Sequence, residues 1–99
     1  MVSDNSRKRA IFSYKQYLVL KTIAEMGGRD IYYSQVVARL HDKITWAHAS
    51  NILSWFDKVG IINTKKVGRL RIIELTPKGK HVLQIVEELI KLTKPIDEK

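Results

Sequence analysis

The chain has 99 residues, enough for one domain near the lower size limit at which a protein buries its own core. Its 44% hydrophobic content reads as globular, and the absence of cysteine excludes disulfides, thiol catalysis and cysteine-ligated zinc. Eighteen Lys and Arg against ten Asp and Glu leave a formal charge of +8 and an isoelectric point near 9.9. Such a field raises encounter rates with polyanions, nucleic acid being the commonest, although net charges of about 2–8 also serve plain solubility. Where the cations sit decides between the two.

No apolar run reaches the roughly 18 residues of a membrane span, so no membrane partner is expected. The opening MVSDNSRKRAIF is basic but lacks a long apolar stretch, so it does not read as a signal peptide and a cytoplasmic location is expected. Residues 1–11 read as a flexible basic arm carrying Arg7, Lys8 and Arg9. Two readings of the arm stand: it lies along a phosphate backbone or in a groove, or it is a frayed terminus.

The first helix is expected from Tyr14 to Met26, opened by an S-x-x-Q capping box at Ser13 and Gln16 and stopped by Gly27-Gly28. Tyr17, Val19, Leu20, Ile23, Ala24 and Met26 share one face. Leu18 falls outside it, among Lys15, Thr22 and Glu25, with Tyr14 one turn below. The exposed pair Tyr14 and Leu18 is either incidental or meets another helix. Arg29 to Tyr32 has room for a very short strand, and Ser34 or Tyr33 then caps a second helix over Gln35 to Leu40.

Thr45 to Gly60, TWAHASNILSWFDKVG, reads as one helix with a cap at Thr45 and a left-handed stop at Gly60. Ala49, Ile52, Leu53, Phe56 and Val59 form an apolar stripe about 100° wide. The opposite arc carries Ala47, Asn51, Ser54 and Lys58, flanked by His48, Ser50 and Trp55. It is small, polar and short of charge, as suits a face that presses against something polar. Trp46 falls on the core flank and is expected to pack against the second helix. Trp55 sits at the edge of the stripe, placed either to stack on a sugar or unpaired base or to cover the base of the hairpin that follows.

Two β-rich runs, Ile61 to Val67 and Leu70 to Leu75, flank Gly68-Arg69 and predict a hairpin. Lys65, Lys66, Arg69 and Arg71 put four cations within seven residues, with no acid among them. A single-sign cluster beside two tightly joined helices points to phosphate contact. Thr76-Pro77 starts the last helix, expected from Lys78 to Thr93, with Gly79 as a small penalty in its first turn. Its apolar residues, Ile85, Leu89 and Leu92 among them, cover about half the circumference, more than a single stripe needs. Either the helix is sunk between two elements or part of it pairs with a second copy, and a domain this small, with little to bury both sides, favours the second.

The order helix, short strand, helix, helix, hairpin, helix resembles a winged helix-turn-helix domain, most densely from Ser34 to Leu83. SQVVARL resembles the second helix of that motif, and ASNILSWFDKVGIINT the recognition helix and following strand of MarR-like and related prokaryotic regulators. RIIELTPKGKHVL resembles their step from wing to last helix. Small archaeal DNA-binding winged-helix proteins, dimerised through terminal helices, are the nearest type. The implied fold is α+β and mostly α: a three-helix core, a β-hairpin wing and a long C-terminal helix, with residues 12–94 as the domain and 77–93 as its dimerisation helix. The implied function is double-stranded DNA binding as a homodimer, by a transcriptional regulator or nucleoid-associated protein.

On that resemblance the Thr45 helix enters the major groove and the wing reaches a neighbouring backbone or minor groove. Ala47, His48, Asn51 and Ser54 would then face base edges or phosphates. Asn51 is the best base reader, because its amide pairs bidentately with adenine. Ser50, Ser54 and Lys58 fit phosphates better. The helix has no arginine, the residue behind the commonest specific contact, which points to weakly specific or architectural binding. A protein–protein module and a single-strand binder using Trp55 with Tyr32 or Tyr33 are the alternatives. His41, His48 and His81 form no metal-spaced cluster, and no HExxH, phosphate loop or nucleophile elbow occurs, so no catalytic site, cofactor or metal is expected.

Overall fold

A computed structural model describes residues 12–93, which form an α+β, mostly helical unit of four helices and a three-stranded antiparallel sheet. In chain order these are α1 (Tyr14–Glu25), β1 (Ile31–Tyr32), α2 (Tyr33–Leu40), α3 (Trp46–Val59), β2 (Ile62–Val67), β3 (Leu70–Leu75) and α4 (Pro77–Leu92). The basic residues Arg7, Lys8 and Arg9 lie outside the described residues.

The element starts follow from local chemistry. At α1 the Ser13 hydroxyl accepts from the Gln16 amide at 3.1 Å, and the Gln16 side chain accepts from the Ser13 amide at 2.8 Å. At α3 the Thr45 hydroxyl accepts from the His48 amide at 3.2 Å, and Gly60 ends the helix at φ 87°. Helix α2 begins two residues earlier than Gln35, and its cap is neither Ser34 nor Tyr33. The Tyr32 amide donates to the Gln35 side chain at 3.0 Å, so a glutamine reaching backwards satisfies the helix start. The β2–β3 hairpin turns on Gly68, whose φ of 64° suits the first position of a type II′ turn. Strand β1 adds to the far side of β3, pairing Ile31 with Ile73 and Tyr32 with Ile72, so the sheet order is β1-β3-β2.

One core joins all these elements. Val19, Leu20 and Ile23 of α1, Val36 and Leu40 of α2, Leu53 and Phe56 of α3, and Ile62 and Ile73 of the hairpin are buried together. Two expectations about faces fail here. Leu18 is not exposed beside Tyr14; it is half-buried against the core, and Thr22 one turn on is buried. Helix α1 touches α2, α3 and α4, so a single-stripe reading of its spacing is too narrow. Trp46 is not a core-flank residue; it stands 65% exposed. Side chains in a helix lean towards its N-terminus, and from the first position that direction carries Trp46 past the end of the core.

The junction between α3, the hairpin and α4 is the tightest polar feature. The Thr76 hydroxyl donates, shared between the carbonyls of Gly60 at 2.6 Å and Ile61 at 2.9 Å, and accepts from the Gly79 amide at 3.0 Å. The Thr76 amide donates to the Ile61 carbonyl at 3.1 Å, and Lys78 Nζ to the Val59 carbonyl at 2.7 Å. Thus one threonine caps α4 while satisfying carbonyls at the end of α3. Gly79, which spacing marks only as a small helix penalty, is buried at this point. A Cβ there would run into the Ile61 carbonyl oxygen and come within 2.7 Å of Leu75 Cδ1.

Helix α4 buries no large apolar side chain completely. Val82 and Leu83 pack partly on the core, while Ile85, Leu89 and Leu92 are 53%, 58% and 78% exposed. Where α1 passes α4, the Tyr17 hydroxyl donates to Glu87 at 3.4 Å. The Lys21 ammonium is held above its ordinary pKa, first by hydrogen bonding to Tyr17 and by the charge interaction with that same phenol, then by Glu25.

A Gly79→Ala substitution separates helix propensity from close approach. Propensity alone would stabilise an exposed helix by about 1 kcal/mol. The overlap with Ile61 instead predicts a loss of about 2–3 kcal/mol, read as a lower urea midpoint by circular dichroism.

Candidate nucleic-acid interface

The structure sorts the candidate residues into those that share a surface and those used elsewhere. Ala47, His48, Asn51, Ser54 and Lys58 of α3 are exposed, as are Lys65, Lys66, Arg69 and Arg71 of the hairpin. The two sets are neighbours. Thr64 Oγ1 on β2 donates to Asp57 Oδ2 on α3 at 3.1 Å, which holds the hairpin beside the outer face of the helix.

Strand periodicity decides which cations join that face. Successive side chains alternate between the two sides of a strand. Ile62, Thr64 and Lys66 therefore share one side of β2, and their partners Leu75, Ile73 and Arg71 share the same side of β3. The pairs Ile62–Leu75 and Thr64–Ile73 pack towards the helices, so Lys66 and Arg71 continue that side beyond the core. Lys65 projects from the other side of the sheet. Lys66 and Arg71 oppose one another directly, an arrangement of like charges that destabilises a strand pair unless an anion lies between them.

Arg71 is also held in place. Its guanidinium lies 4.9 Å from the centroid of the Tyr33 ring, within cation–π range. The Tyr33 hydroxyl in turn shares a 2.7 Å hydrogen bond with the Ser50 hydroxyl. Ser50 is thus half-buried and occupied in linking α2, α3 and β3. Its expected role as a phosphate donor gives way, in this geometry, to positioning Arg71.

Trp55 sits in an aromatic cluster at the edge of the core. It is half-buried, with its ring 5.7 Å from Phe56 and 6.3 Å from Phe12, and Phe12 stacks on Phe56 at 6.1 Å. It closes the core beside Phe12, where the chain enters α1.

Two residues of the surface are missing from the face read by spacing. Asp57 is exposed and, with Ser54, Thr64 and Arg71, lines a small hollow between α3 and the hairpin. It puts one negative charge at the rim, and its place one turn beyond Ser54 on the helix was the available signal. Trp46 is the other. It lines a cleft of about 450 Å³ with Tyr33, Ser50, Arg69, Leu70 and Arg71, between the start of α3 and the hairpin. A tryptophan assigned to the core by periodicity carries no sign of this until the end of α3 is seen to overhang.

Among the described residues no three His, Cys, Asp or Glu side chains gather as metal ligands. No helix there is long and apolar enough to cross a membrane.

The fold has known relatives in structure. The crystal structure of AF1382 from Archaeoglobus fulgidus matches with a TM-score of 0.69, covering 90% of this chain and 98% of that one at 24% sequence identity, and so shares its fold. An uncharacterized protein from Archaeoglobus fulgidus is 25% identical over 89 residues, spanning 88% of this chain and 92% of its own length. No family model matches the chain.

The two tryptophans make opposite predictions for stability. Trp55→Ala should cost about 2–3 kcal/mol, somewhat less than the loss from a fully buried aromatic. Trp46→Ala, at an exposed position, should stay within about 0.5 kcal/mol of the parent. Thermal melts of both variants decide the assignment.

Proposed function

We propose that this protein binds double-stranded DNA through α3 and the β2–β3 hairpin, in the manner of a winged helix-turn-helix domain. The observation that carries the reading is the continuity of the small polar face of α3 with Lys66, Arg69 and Arg71. Helix α3 fits a major groove: its outer residues Ala47, Asn51 and Ser54 are short enough to let the backbone approach base edges. The hairpin cations suit the flanking phosphates or minor groove, where positive charge contributes affinity without sequence information. A phosphate beside Lys66 and Arg71 also relieves their mutual repulsion. Lys58 extends the positive edge of the face, and Asp57 tempers it.

Asn51 is the proposed base reader, with His48 and Ser54 beside it. With no arginine on α3, discrimination among sequences is modest, which fits a nucleoid-associated protein or a regulator of relaxed specificity in the cytoplasm. The exposed row Ile85, Leu89 and Leu92 runs at i, i+4, i+7 along α4 and supports a homodimer formed through that helix. Contiguous apolar side chains of this size rarely stay in water on a small monomer. Tyr14, whose ring lies 6.1 Å from Tyr17 at the edge of α1 beside α4, is exposed and available to the same interface. Leu18 is half-buried against the core and offers that interface less surface.

Binding to random duplex DNA across a salt series tests the reading. A dissociation constant of about a micromolar or tighter at low salt is expected, with affinity falling steeply as salt rises. Lys66→Ala and Arg69→Ala should each weaken binding alike on all sequences and reduce the salt slope by about 1. Asn51→Ala should flatten what preference exists. Absence of binding at low salt would overturn the proposal and favour a protein–protein role. Sedimentation should show a dimer at high micromolar concentration, converted to monomer by Leu89→Lys; a parent monomer would refute the α4 interface.

A further inference from the structure

The cleft beside Trp46 offers a chemistry that an intact duplex does not use. Its wall on the α3 side is Trp46, an indole left largely in water at the first position of the helix. Its opposite wall is the hairpin tip, with Leu70 exposed and the guanidinium groups of Arg69 and Arg71 at the rim. Tyr33 forms part of the lining, and its contacts to Arg71 and Ser50 hold that part rigid. None of the residues lining the cleft is acidic. Its volume of about 450 Å³ is ample for a planar heterocycle with its sugar. Apolar flat surface next to two cations, one of them Arg71 held against Tyr33, suits a ligand that is planar at one end and anionic at the other. Paired bases inside a duplex expose edges in the grooves and keep their faces stacked, so only an unpaired nucleotide presents both features.

We infer that the Trp46 cleft receives an unpaired nucleotide at the end or gap of a DNA duplex, its base stacked on Trp46 and its phosphate held by Arg69 and Arg71. This inference rests on the proposed duplex binding by α3 and deepens it, because it places the preferred target where double strand meets single strand. The preorganised Arg71 needs no rearrangement to meet the phosphate. Exposure of Trp46 has its purpose in this contact, since the side chain adds nothing to the core.

The test is a competition between two ligands of the same sequence, a short blunt duplex and that duplex extended by a few unpaired nucleotides, measured by fluorescence anisotropy. One base–aromatic stack predicts about tenfold tighter binding of the tailed duplex by the parent protein. Trp46→Ala should abolish that advantage while leaving blunt-duplex affinity within about twofold, and Trp46→Phe, which keeps an aromatic face, should retain most of it. Equal affinity of the parent for both ligands overturns the inference and leaves duplex binding intact. Failure to bind either ligand overturns duplex binding as well. An equal loss for both ligands in Trp46→Ala would mean that Trp46 touches the duplex itself. A Trp46→Ala protein that keeps the tail preference but loses self-association would assign the cleft to a second copy of the chain. Each of these outcomes counts against the inference.

Discussion

The arrangement of the whole surface depends on one hydroxyl. Thr76 ends the hairpin, caps α4 and occupies carbonyls at the close of α3 in a single step. Those carbonyls lie at the negative end of the α3 dipole, where water is excluded by the packing of Gly79 on Ile61, and a buried acceptor left without a partner costs about 1–3 kcal/mol. The hairpin therefore cannot swing relative to α3 without breaking the start of α4. A rigid hinge of this kind is what lets two separate elements present one face. Lys78 strengthens it from outside by donating to Val59.

Above that hinge, the electrostatics are set by strand register. A slip of β2 by one residue against β3 would turn Lys66 away from α3 and bring Lys65 round beside Arg71 instead. Register is pinned by the buried pair Ile62 and Leu75 at one end and by Gly68 at the other. The Thr64–Asp57 bond and the Arg71–Tyr33–Ser50 chain then tie the strands to the helices. Polar side chains thus spend themselves on orientation, which leaves the cations displayed and the middle of α3 bare.

Much of this was legible in the sequence, and the parts that were share a cause. Ser13 with Gln16, Thr45, Gly60 and Thr76-Pro77 mark helix ends through bonds made within three residues, so spacing alone reveals them. The hairpin follows from Gly68 between two β-branched runs. What was not legible depends on distant neighbours. Leu18 is covered because α1 is surrounded by three helices, Trp46 is bare because α3 overhangs its support, and Gly79 is compulsory because Ile61 lies against it. Trp55 needed Phe12, which is far along the chain, to reveal its partner. Spacing placed Ala47, His48, Asn51, Ser54, Lys58 and the hairpin cations on the outside, where they lie, but the half-burial of Ser50 and Trp55 and the link from Ser50 to Arg71 required the Tyr33 bridge and Phe12.

The sheet order leaves β2 at an edge, carrying a row of backbone donors and acceptors on its outer side. Such an edge is a template for a strand from another molecule, and lysines along it are a common protection. Lys65 and Lys66 stand on this strand. On the proposed function, the charge that would draw a polyanion near is also the charge that keeps two copies of the sheet from joining edge to edge. A polyanion that neutralises Lys65 and Lys66 removes that protection at the moment when copies are concentrated along one molecule. On that reading, crowding on a long polyanion is a condition that opens this edge to strand addition.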